Sequence, residues 1–223
     1  MPPCGATSSG RGNKRMDDPR FITVEGIEGA GKTTALETIR HWVRDRGGSP
    51  VLTREPGGTE LGEELREVLL SHRDGGMSAE AEVLLMFAAR AEHLSRIIRP
   101  ALAAGRGVIC DRFTDASIAY QGMGLGLGID RVRALAAWTH ADIHPELTLW
   151  LDLPVPLGLA RAAGRSRPDR FEAEQHRFFE AVRAGYAEIA QTEPARIQRI
   201  DASGTRDEVR MAIIAALEAR LVE

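Results

Sequence analysis

The sequence predicts a three-layer α/β fold, with about five parallel strands between helices on both faces. Short apolar segments alternate along the chain with longer segments that carry an apolar face at helical spacing, which is typical of a parallel sheet. The length of 223 residues suits one domain, which we expect to span 19–223. The predicted strands are Phe21–Glu25, Val51–Arg54, Val108–Asp111, 147–153 and Ile197–Asp201. The predicted helices are 34–45, 60–70, 80–103, 129–139, 155–163, 171–191 and 205–221.

Composition and charge exclude several classes of protein. The net charge of −3 gives no electrostatic footprint for nucleic acid or an anionic membrane. Cys4 and Cys110 are the only cysteines and cannot form a disulfide framework, and no apolar run is long enough to cross a membrane. We therefore expect a reduced, soluble, cytoplasmic protein. Residues 1–18 have almost nothing to bury and are expected to be disordered, with Met16 as a second candidate start and a targeting tail as the alternative.

The first predicted strand leads into a complete G-x-x-x-x-G-K-[ST] motif, which is Gly26-Ile27-Glu28-Gly29-Ala30-Gly31-Lys32-Thr33, with Thr34 next in the chain. Backbone N–H groups of such a loop turn inward around a phosphate, and the helix that follows adds its positive end. Lys32, the only lysine besides Lys14, is placed to reach the β/γ oxygens, and the Thr33 hydroxyl is placed to hold Mg²⁺. The alternative is a glycine-rich turn without a ligand, which the ordered strand, loop and helix disfavour. The motif predicts a P-loop NTPase fold that binds a nucleoside triphosphate.

The phosphate-binding loop does not by itself define a reaction. GTPase switches require Asn-Lys-x-Asp, but Asn13 is the only asparagine, and we recognise no module of a motor, helicase or transporter. Side chains at the carboxyl ends of parallel strands gather at the phosphate edge of the sheet. Arg54 and Arg112, which lie at such strand ends, and Arg90 are candidates for a second anion-binding set. This favours transfer to a small acceptor.

Two segments are predicted to be flexible. Segment 122–128 has glycine at every second position, and 164–170 places three arginines between two predicted helices. The arginine-rich segment, taken as about 164–171, is either a solvated connector or a lid that closes positive charge over phosphates. Composition favours neither interpretation.

Five short segments follow one another in an order that closely resembles thymidylate kinase, a P-loop nucleoside monophosphate kinase. They are T-R-E-P-G-G-T at 53–59, F-A-A-R-A-E-H-L at 87–94, D-R-F at 111–113, A-Y-Q-G at 119–122 and the lid-like D-R-F-E at 169–172. The resemblance covers about residues 20–215 and is to the bacterial type, whose phosphate loop lacks an arginine and whose lid is basic. It implies phosphorylation of dTMP to dTDP by direct in-line transfer from ATP with Mg²⁺, in a homodimer.

The same resemblance implies roles at the phosphate end of the site. ATP would bind on the loop from Gly26 to Thr34. Arg112 would grip the dTMP phosphate, beside Asp111 acting through Mg²⁺ or its waters. Glu28 would contact the sugar 3′-hydroxyl and the metal environment, and Arg54 would make a second contact to the acceptor.

At the base end, Arg90 and Gln121 would hydrogen-bond the thymine edge, with Ser117 close by. Tyr120 would pack under the sugar, where a 2′-hydroxyl would clash. Relatives carry a base-stacking phenylalanine four residues before the arginine, where this chain has Met86, and Phe87 is one residue later. We favour Phe87 as the stacking residue, with Met86 as the alternative.

The lid would supply charge for the transferring phosphoryl group through Arg165 and Arg170, with Arg161 and Arg167 as weaker candidates, and the loop 201–204 would lie against adenine. Two alternatives stay open. One is a kinase for dUMP, dCMP or a modified pyrimidine monophosphate. The other is a catalytically silent ATP-dependent scaffold, whose expected signature, loss of Lys32, Arg112 or the lid arginines, is not found.

Overall fold

A computed structural model describes residues 20–163 and 172–222, so the predicted tail and the predicted lid lie outside the described residues. The described chain contains a five-stranded sheet in the order β2-β3-β1-β4-β5, and every pair of neighbouring strands is parallel. The strands are β1 (Phe21–Glu25), β2 (Val51–Arg54), β3 (Val108–Asp111), β4 (Leu147–Asp152) and β5 (Ile197–Asp201). The predicted fold class is confirmed, and only β4 differs, ending one residue before the predicted boundary.

The helices cover both faces of this sheet. They are α1 (Lys32–Asp45), α2 (Glu60–Leu70), α3 (Ala79–His93), α4 (Arg99–Ala103), α5 (Thr114–Ser117), α6 (Ile129–His140), α7 (Val155–Ala163), α8 (Glu172–Thr192) and α9 (Arg206–Leu221). Alternation along β1 shows the two layers, since successive side chains of a strand point to opposite faces. Ile22 belongs to a core cluster with Ile39 of α1, whereas Phe21 belongs to a second cluster with Ile98. No helix within the described ranges is long and apolar enough to cross a membrane.

Two π-helical segments were not predicted. Leu94–Ile98 joins α3 to α4, so the predicted helix 80–103 is helical throughout but changes its hydrogen-bond pattern. Ile118–Gly124 extends α5 into the glycine-rich segment that we expected to be flexible. A Cβ on Gly124 would lie 2.6 Å from the Phe178 ring of α8. The glycine at this position is therefore explained by the close approach of α8.

Candidate active site

A cleft of about 1050 Å³ opens at the carboxyl edge of the sheet, as expected for an open parallel sheet. It is lined by side chains from most of the elements that meet there. The predicted site residues among them are Glu28, Gly29, Ala30, Gly31, Lys32, Thr33, Thr34, Asp111, Arg112, Tyr120 and Gln121. Most of the phosphate loop and four of the eight predicted acceptor residues, Glu28, Arg112, Tyr120 and Gln121, thus share one cleft.

The phosphate loop owes its shape to backbone conformations that favour glycine. Gly26, Gly29 and Gly31 have φ angles of 139°, 73° and 89°. A Cβ on Gly29 would overlap the Gly158 carbonyl oxygen of α7, so the loop packs directly on that helix. Gly31 is the N-cap of α1, where no side-chain cap is found. The first N–H groups of α1 therefore lack a side-chain acceptor, as suits the N-terminus of an anion-binding helix.

Lys32 lies against its own loop. Its Nζ is 3.2 Å from the Gly26 carbonyl oxygen and 3.3 Å from that of Ile27. Burial, helped by repulsion from Arg112, lowers the pKa of Lys32 to about 8, while Asp111 opposes the shift. The positive charge of Lys32 is therefore only partly stabilised by its surroundings, so that binding of an anion next to it would stabilise it further.

Three cleft-lining side chains, which are Glu28 of the phosphate loop, Arg112 and Tyr120, form a compact cluster that we call the Arg112 cluster. Arg112 donates through Nη2 to Glu28 Oε1 at 3.0 Å, and the Tyr120 hydroxyl donates to Glu28 Oε2 at 2.9 Å. The guanidinium carbon of Arg112 lies 4.5 Å from the centre of the Tyr120 ring. Both oxygens of Glu28 therefore orient the two other side chains of the cluster.

Arg112 has an unusual backbone conformation, with φ at 68°. Its N–H donates to the Val24 carbonyl oxygen at 3.0 Å. The next N–H, of Phe113, donates at 2.8 Å to the buried carboxyl of Glu25, which also accepts from the Tyr186 hydroxyl at 2.7 Å. Burial, together with the negative charge of Asp115, raises the pKa of Glu25 to about 8. The end of β1 thus fixes the backbone on both sides of the Arg112 carbonyl.

A second buried network surrounds Arg90, which is 1% exposed. Its Nε donates to Glu55 Oε2 at 2.7 Å, and its Nη2 donates to Ser117 Oγ at 2.9 Å and to the Phe113 carbonyl oxygen at 3.0 Å. His93 Nδ1 lies 2.9 Å from the other Glu55 oxygen. Burial alone would raise the pKa of Glu55, but Arg90 and His93 outweigh it and lower the pKa. Ser117 therefore positions Arg90 and does not itself line the cleft.

Three buried atoms of predicted site residues have no hydrogen-bond partner within the described part of the chain: Arg90 Nη1, Asp111 Oδ1 and Gln121 Oε1. Folded proteins pair nearly all buried polar atoms, because each unpaired one costs about 1–3 kcal/mol. Gln121 and Asp111 line the cleft directly, whereas Arg90 does not line it and is bonded to Glu55, which does. Two unpaired acceptors thus belong to cleft-lining residues, and one unpaired donor belongs to the buried network next to them.

Four of the predicted acceptor residues do not line the cleft: Arg54, Phe87, Arg90 and Ser117. Met86, and not Phe87, lines the cleft. Phe87 is 3% exposed and stacks on His140, with ring centres 6.4 Å apart and planes 4° apart. Arg54 is half exposed, donates to Glu63 Oε2 at 2.7 Å and does not line the cleft. The placement of Phe87 reflects helix phase, since a shift of one residue along a helix turns a side chain to another face. Arg54 is drawn toward Glu63 by their ion pair.

The other end of the cleft is formed by α7, α9 and the segment between β5 and α9. Arg161 of α7 donates to the carbonyl oxygens of Ala202, Ser203 and Gly204, at 2.7, 3.0 and 3.3 Å. Its guanidinium is thus engaged with the loop that we placed against adenine. Arg165, Arg167 and Arg170 lie outside the described residues. Four charged residues of the cleft were not predicted from the sequence: Arg66, Glu82, Arg206 and Arg210. Only Glu82 could have been predicted, because it lies four residues before Met86 and eight before Arg90, on the same face of a helix.

A P-loop on a parallel sheet, facing a second polar pocket across one cleft, defines the class as a P-loop nucleotide kinase. A sequence profile described as thymidylate kinase matches residues 24–213. The thymidylate kinase of Alkalilimnicola ehrlichii is 55% identical over 203 residues, which cover 91% of this chain and 94% of that protein. The thymidylate kinase of Pseudomonas putida is 53% identical over 197 residues, with 88% and 94% covered.

A solved structure gives the same answer. The crystal structure of thymidylate kinase from Ehrlichia chaffeensis matches with a TM-score of 0.74 and 32% sequence identity, over 89% of this chain and 98% of that one. The chain therefore belongs to the thymidylate kinase family, as its sequence motifs predicted, and is a nucleoside monophosphate kinase.

His140 packs beside the Arg90 network, because its ring lies against Phe87 and Phe113, over both of which the Arg90 guanidinium also lies. Its Nδ1 lies 3.2 Å from the Ile143 carbonyl oxygen and must carry the proton, so its Nε2 accepts from the Thr114 hydroxyl at 2.8 Å. Burial, together with repulsion from Arg90, lowers the pKa of His140 to about 4. The folded state therefore holds a neutral imidazole.

We predict that His140 makes the protein less stable in acid. The unfolded chain takes up a proton at this histidine near pH 6.5 and the folded chain only near 4, so the free energy of unfolding falls as the pH is lowered between these values. Urea unfolding at a series of pH values measures this slope. His140→Phe should reduce the slope, whereas His41→Phe, at an exposed position, should not. Equal slopes for wild type and His140→Phe would contradict the prediction.

Proposed function

We propose that this chain transfers the γ-phosphoryl group of ATP directly to dTMP, giving ADP and dTDP. The observation that carries the proposal is that one cleft holds both the phosphate loop and an arginine, Arg112, that Glu28 of that loop and Tyr120 hold in place. Two phosphates that must approach in line repel each other, and a fixed guanidinium both binds the acceptor and reduces that repulsion. Membership of the thymidylate kinase family supports dTMP as the acceptor.

In the proposed reaction, an oxygen of the dTMP phosphate forms the new bond to the γ-phosphorus as the bond to the β–γ bridging oxygen of ATP breaks. The acceptor is already an anion at neutral pH, so no side chain has to remove a proton. Lys32 and the N–H groups of the loop hold the ATP phosphates, and Arg112 holds the acceptor phosphate. We assign charge stabilisation on the transferring group to Arg165 and Arg170, outside the described residues.

The residues present fit a magnesium ion. Within residues 20–163 and 172–222 no cluster of three or more His, Cys, Asp or Glu could hold a metal alone, so phosphate oxygens must complete the ligand set. Thr33 and Asp111 line the cleft, and Asp111 Oδ1 is free of other partners in the described chain. We propose that they hold Mg²⁺, Asp111 through water. The bound ion would supply positive charge that offsets the negative charge of the ATP phosphates.

For the nucleoside of dTMP we propose contacts at the base end of the cleft. Met86 packs on the thymine ring, because its side chain lines the cleft and Phe87 does not. Arg90 Nη1 donates to the base edge and Gln121 Oε1 accepts from it, which would pair two otherwise unpaired buried atoms. Tyr120 lies under the deoxyribose, and Glu28 contacts the 3′-hydroxyl. A homodimer stays a prediction from the family resemblance.

The proposed activity is tested by ADP release in a coupled assay with dTMP, dUMP and dCMP as acceptors. We expect dTMP to give the highest kcat/KM. Lys32→Ala should lower kcat far more than it changes the Kd of dTMP, since Lys32 contacts the donor phosphates and not the acceptor. Normal turnover by Lys32→Ala would contradict the assignment. ATP binding without turnover of any acceptor would instead favour a silent scaffold.

Arg112 provides a second prediction. Arg112→Ala should lower kcat/KM for dTMP about 30- to 1000-fold, equivalent to about 2–4 kcal/mol, because the lost charge contact is desolvated in the cleft. Arg99→Ala, which removes an exposed arginine paired with Asp142, is the matched control and should leave kcat/KM unchanged. Thermal unfolding checks that both variants fold. A loss of less than about threefold in Arg112→Ala would count against the role.

The lowered pKa of Lys32 predicts proton uptake on ATP binding. With a pKa of about 8 in the free protein, Lys32 is partly neutral at pH 8, and the ATP phosphates would raise its pKa and draw a proton from the buffer. Titration calorimetry at pH 8, in two buffers that differ in ionisation enthalpy, measures the protons taken up. Lys32→Arg, whose guanidinium does not titrate in this range, should show no such uptake. Equal binding enthalpies of wild type in both buffers would contradict the prediction.

A further inference from the structure

Glu82 lies on the same face of α3 as two residues of the proposed base pocket. Glu82, Met86 and Arg90 are spaced by four residues, and side chains at this spacing lie above one another on a helix. Glu82 and Met86 both line the cleft, and so does Gln121. None of the roles assigned above uses Glu82.

The contact between Glu82 and Gln121 has only one chemically sound orientation. The Gln121 amide nitrogen donates to Glu82 Oε1 at 2.8 Å. An ionised carboxylate can only accept hydrogen bonds, so the amide cannot rotate by half a turn without setting oxygen against oxygen. Gln121 Oε1 is the atom left over, and it is buried with no partner among the residues described.

We propose that Glu82 is a positioning residue that makes Gln121 a hydrogen-bond acceptor toward the base, and so makes the pocket select a pyrimidine that carries a proton on N3. The inference rests on the proposed function, which places the base of a nucleoside monophosphate in this part of the cleft. It adds an orienting residue and a rule of selection to that function.

The preference for a proton on N3 follows from the order of hydrogen-bond donors and acceptors along the edge of each pyrimidine. Thymine presents a donor at N3–H beside an acceptor at O4, which complements the acceptor Gln121 Oε1 and the donor Arg90 Nη1. Cytosine presents the reverse order, an acceptor at N3 and a donor at its 4-amino group. A rotated Gln121 amide would accept cytosine at N3, and Glu82 prevents that rotation. Arg90, a donor in any orientation, opposes the 4-amino group independently.

The test compares dTMP with 5-methyl-dCMP, because both carry the 5-methyl group and differ only at N3 and C4. In Glu82→Gln the new amide can donate as well as accept, so the Gln121 amide is free to rotate. We expect the preference for dTMP, measured as the ratio of the two Kd values by calorimetry and as the ratio of kcat/KM, to fall about tenfold. The preference does not vanish, because Arg90 still opposes 5-methyl-dCMP.

Three controls separate orientation from damage to the pocket. Glu80→Gln makes the same chemical change at an exposed position on α3 and should leave the ratio unchanged. Glu82→Ala, which removes the only acceptor described for the Gln121 amide nitrogen, should lower the ratio as Glu82→Gln does. In a Gln121→Ala background, Glu82→Gln should have no further effect on the ratio. Thermal unfolding checks that each variant is folded.

The inference is overturned if Glu82→Gln weakens both nucleotides equally, or if it changes the ratio as much without Gln121 as with it. An unchanged ratio in both Glu82 variants overturns it as well. These outcomes are distinct from failure of the proposed function, which would show as wild-type protein that does not phosphorylate dTMP. Turnover of dTMP by wild type, with a ratio that ignores Glu82, would refute the inference alone.

Discussion

The buried carboxyl of Glu25 connects the parts of the cleft. It ends β1 directly before the phosphate loop, accepts from the Phe113 N–H next to Arg112, and accepts from Tyr186 of α8. A single buried side chain, Glu25, thereby links the phosphate loop, Arg112 and helix α8. Because interiors are close-packed and resist deformation, a shift in any of these three elements is transmitted to the others.

The two ends of the cleft differ in whether backbone or side-chain groups form them. The end that we propose holds ATP is mainly backbone, in conformations that glycine permits, with one lysine. The end that we propose holds the acceptor is a set of side chains, each hydrogen-bonded to another: Glu28 to Arg112 and Tyr120, Glu55 and Ser117 to Arg90, and Glu82 to Gln121. Such pre-orientation reduces the entropy lost when a ligand binds. The atoms left unpaired carry a desolvation cost that a hydrogen bond to a ligand can offset.

The sequence alone predicted the strands and the phosphate loop, because short apolar segments and glycine-rich motifs are local signals. The acceptor residues that line the cleft, such as Tyr120 and Gln121, were expected from the family resemblance. It did not predict the π-helical segment Ile118–Gly124, since the packing of α8 that accompanies it lies far along the chain. Phe87 was chosen over Met86 as the stacking residue because it is aromatic. Met86, however, lies four residues before Arg90 and therefore shares its face of the helix. Arg54 was placed by strand position, and its ion pair with Glu63 could not be predicted from that position.

The close contact between Gly29 and Gly158 restricts which substitutions the phosphate loop can accept during evolution. Neither position tolerates a side chain while the other backbone stays in place, since a Cβ on Gly29 overlaps the Gly158 carbonyl oxygen and a Cβ on Gly158 would lie 2.8 Å from the Glu28 carbonyl oxygen. A single substitution that brought a longer residue into the loop would displace α7 and, through Arg161, the segment 202–204. Variation at these two sites is therefore expected to be epistatic, and the mutational route to a bulkier loop passes through coordinated changes in α7.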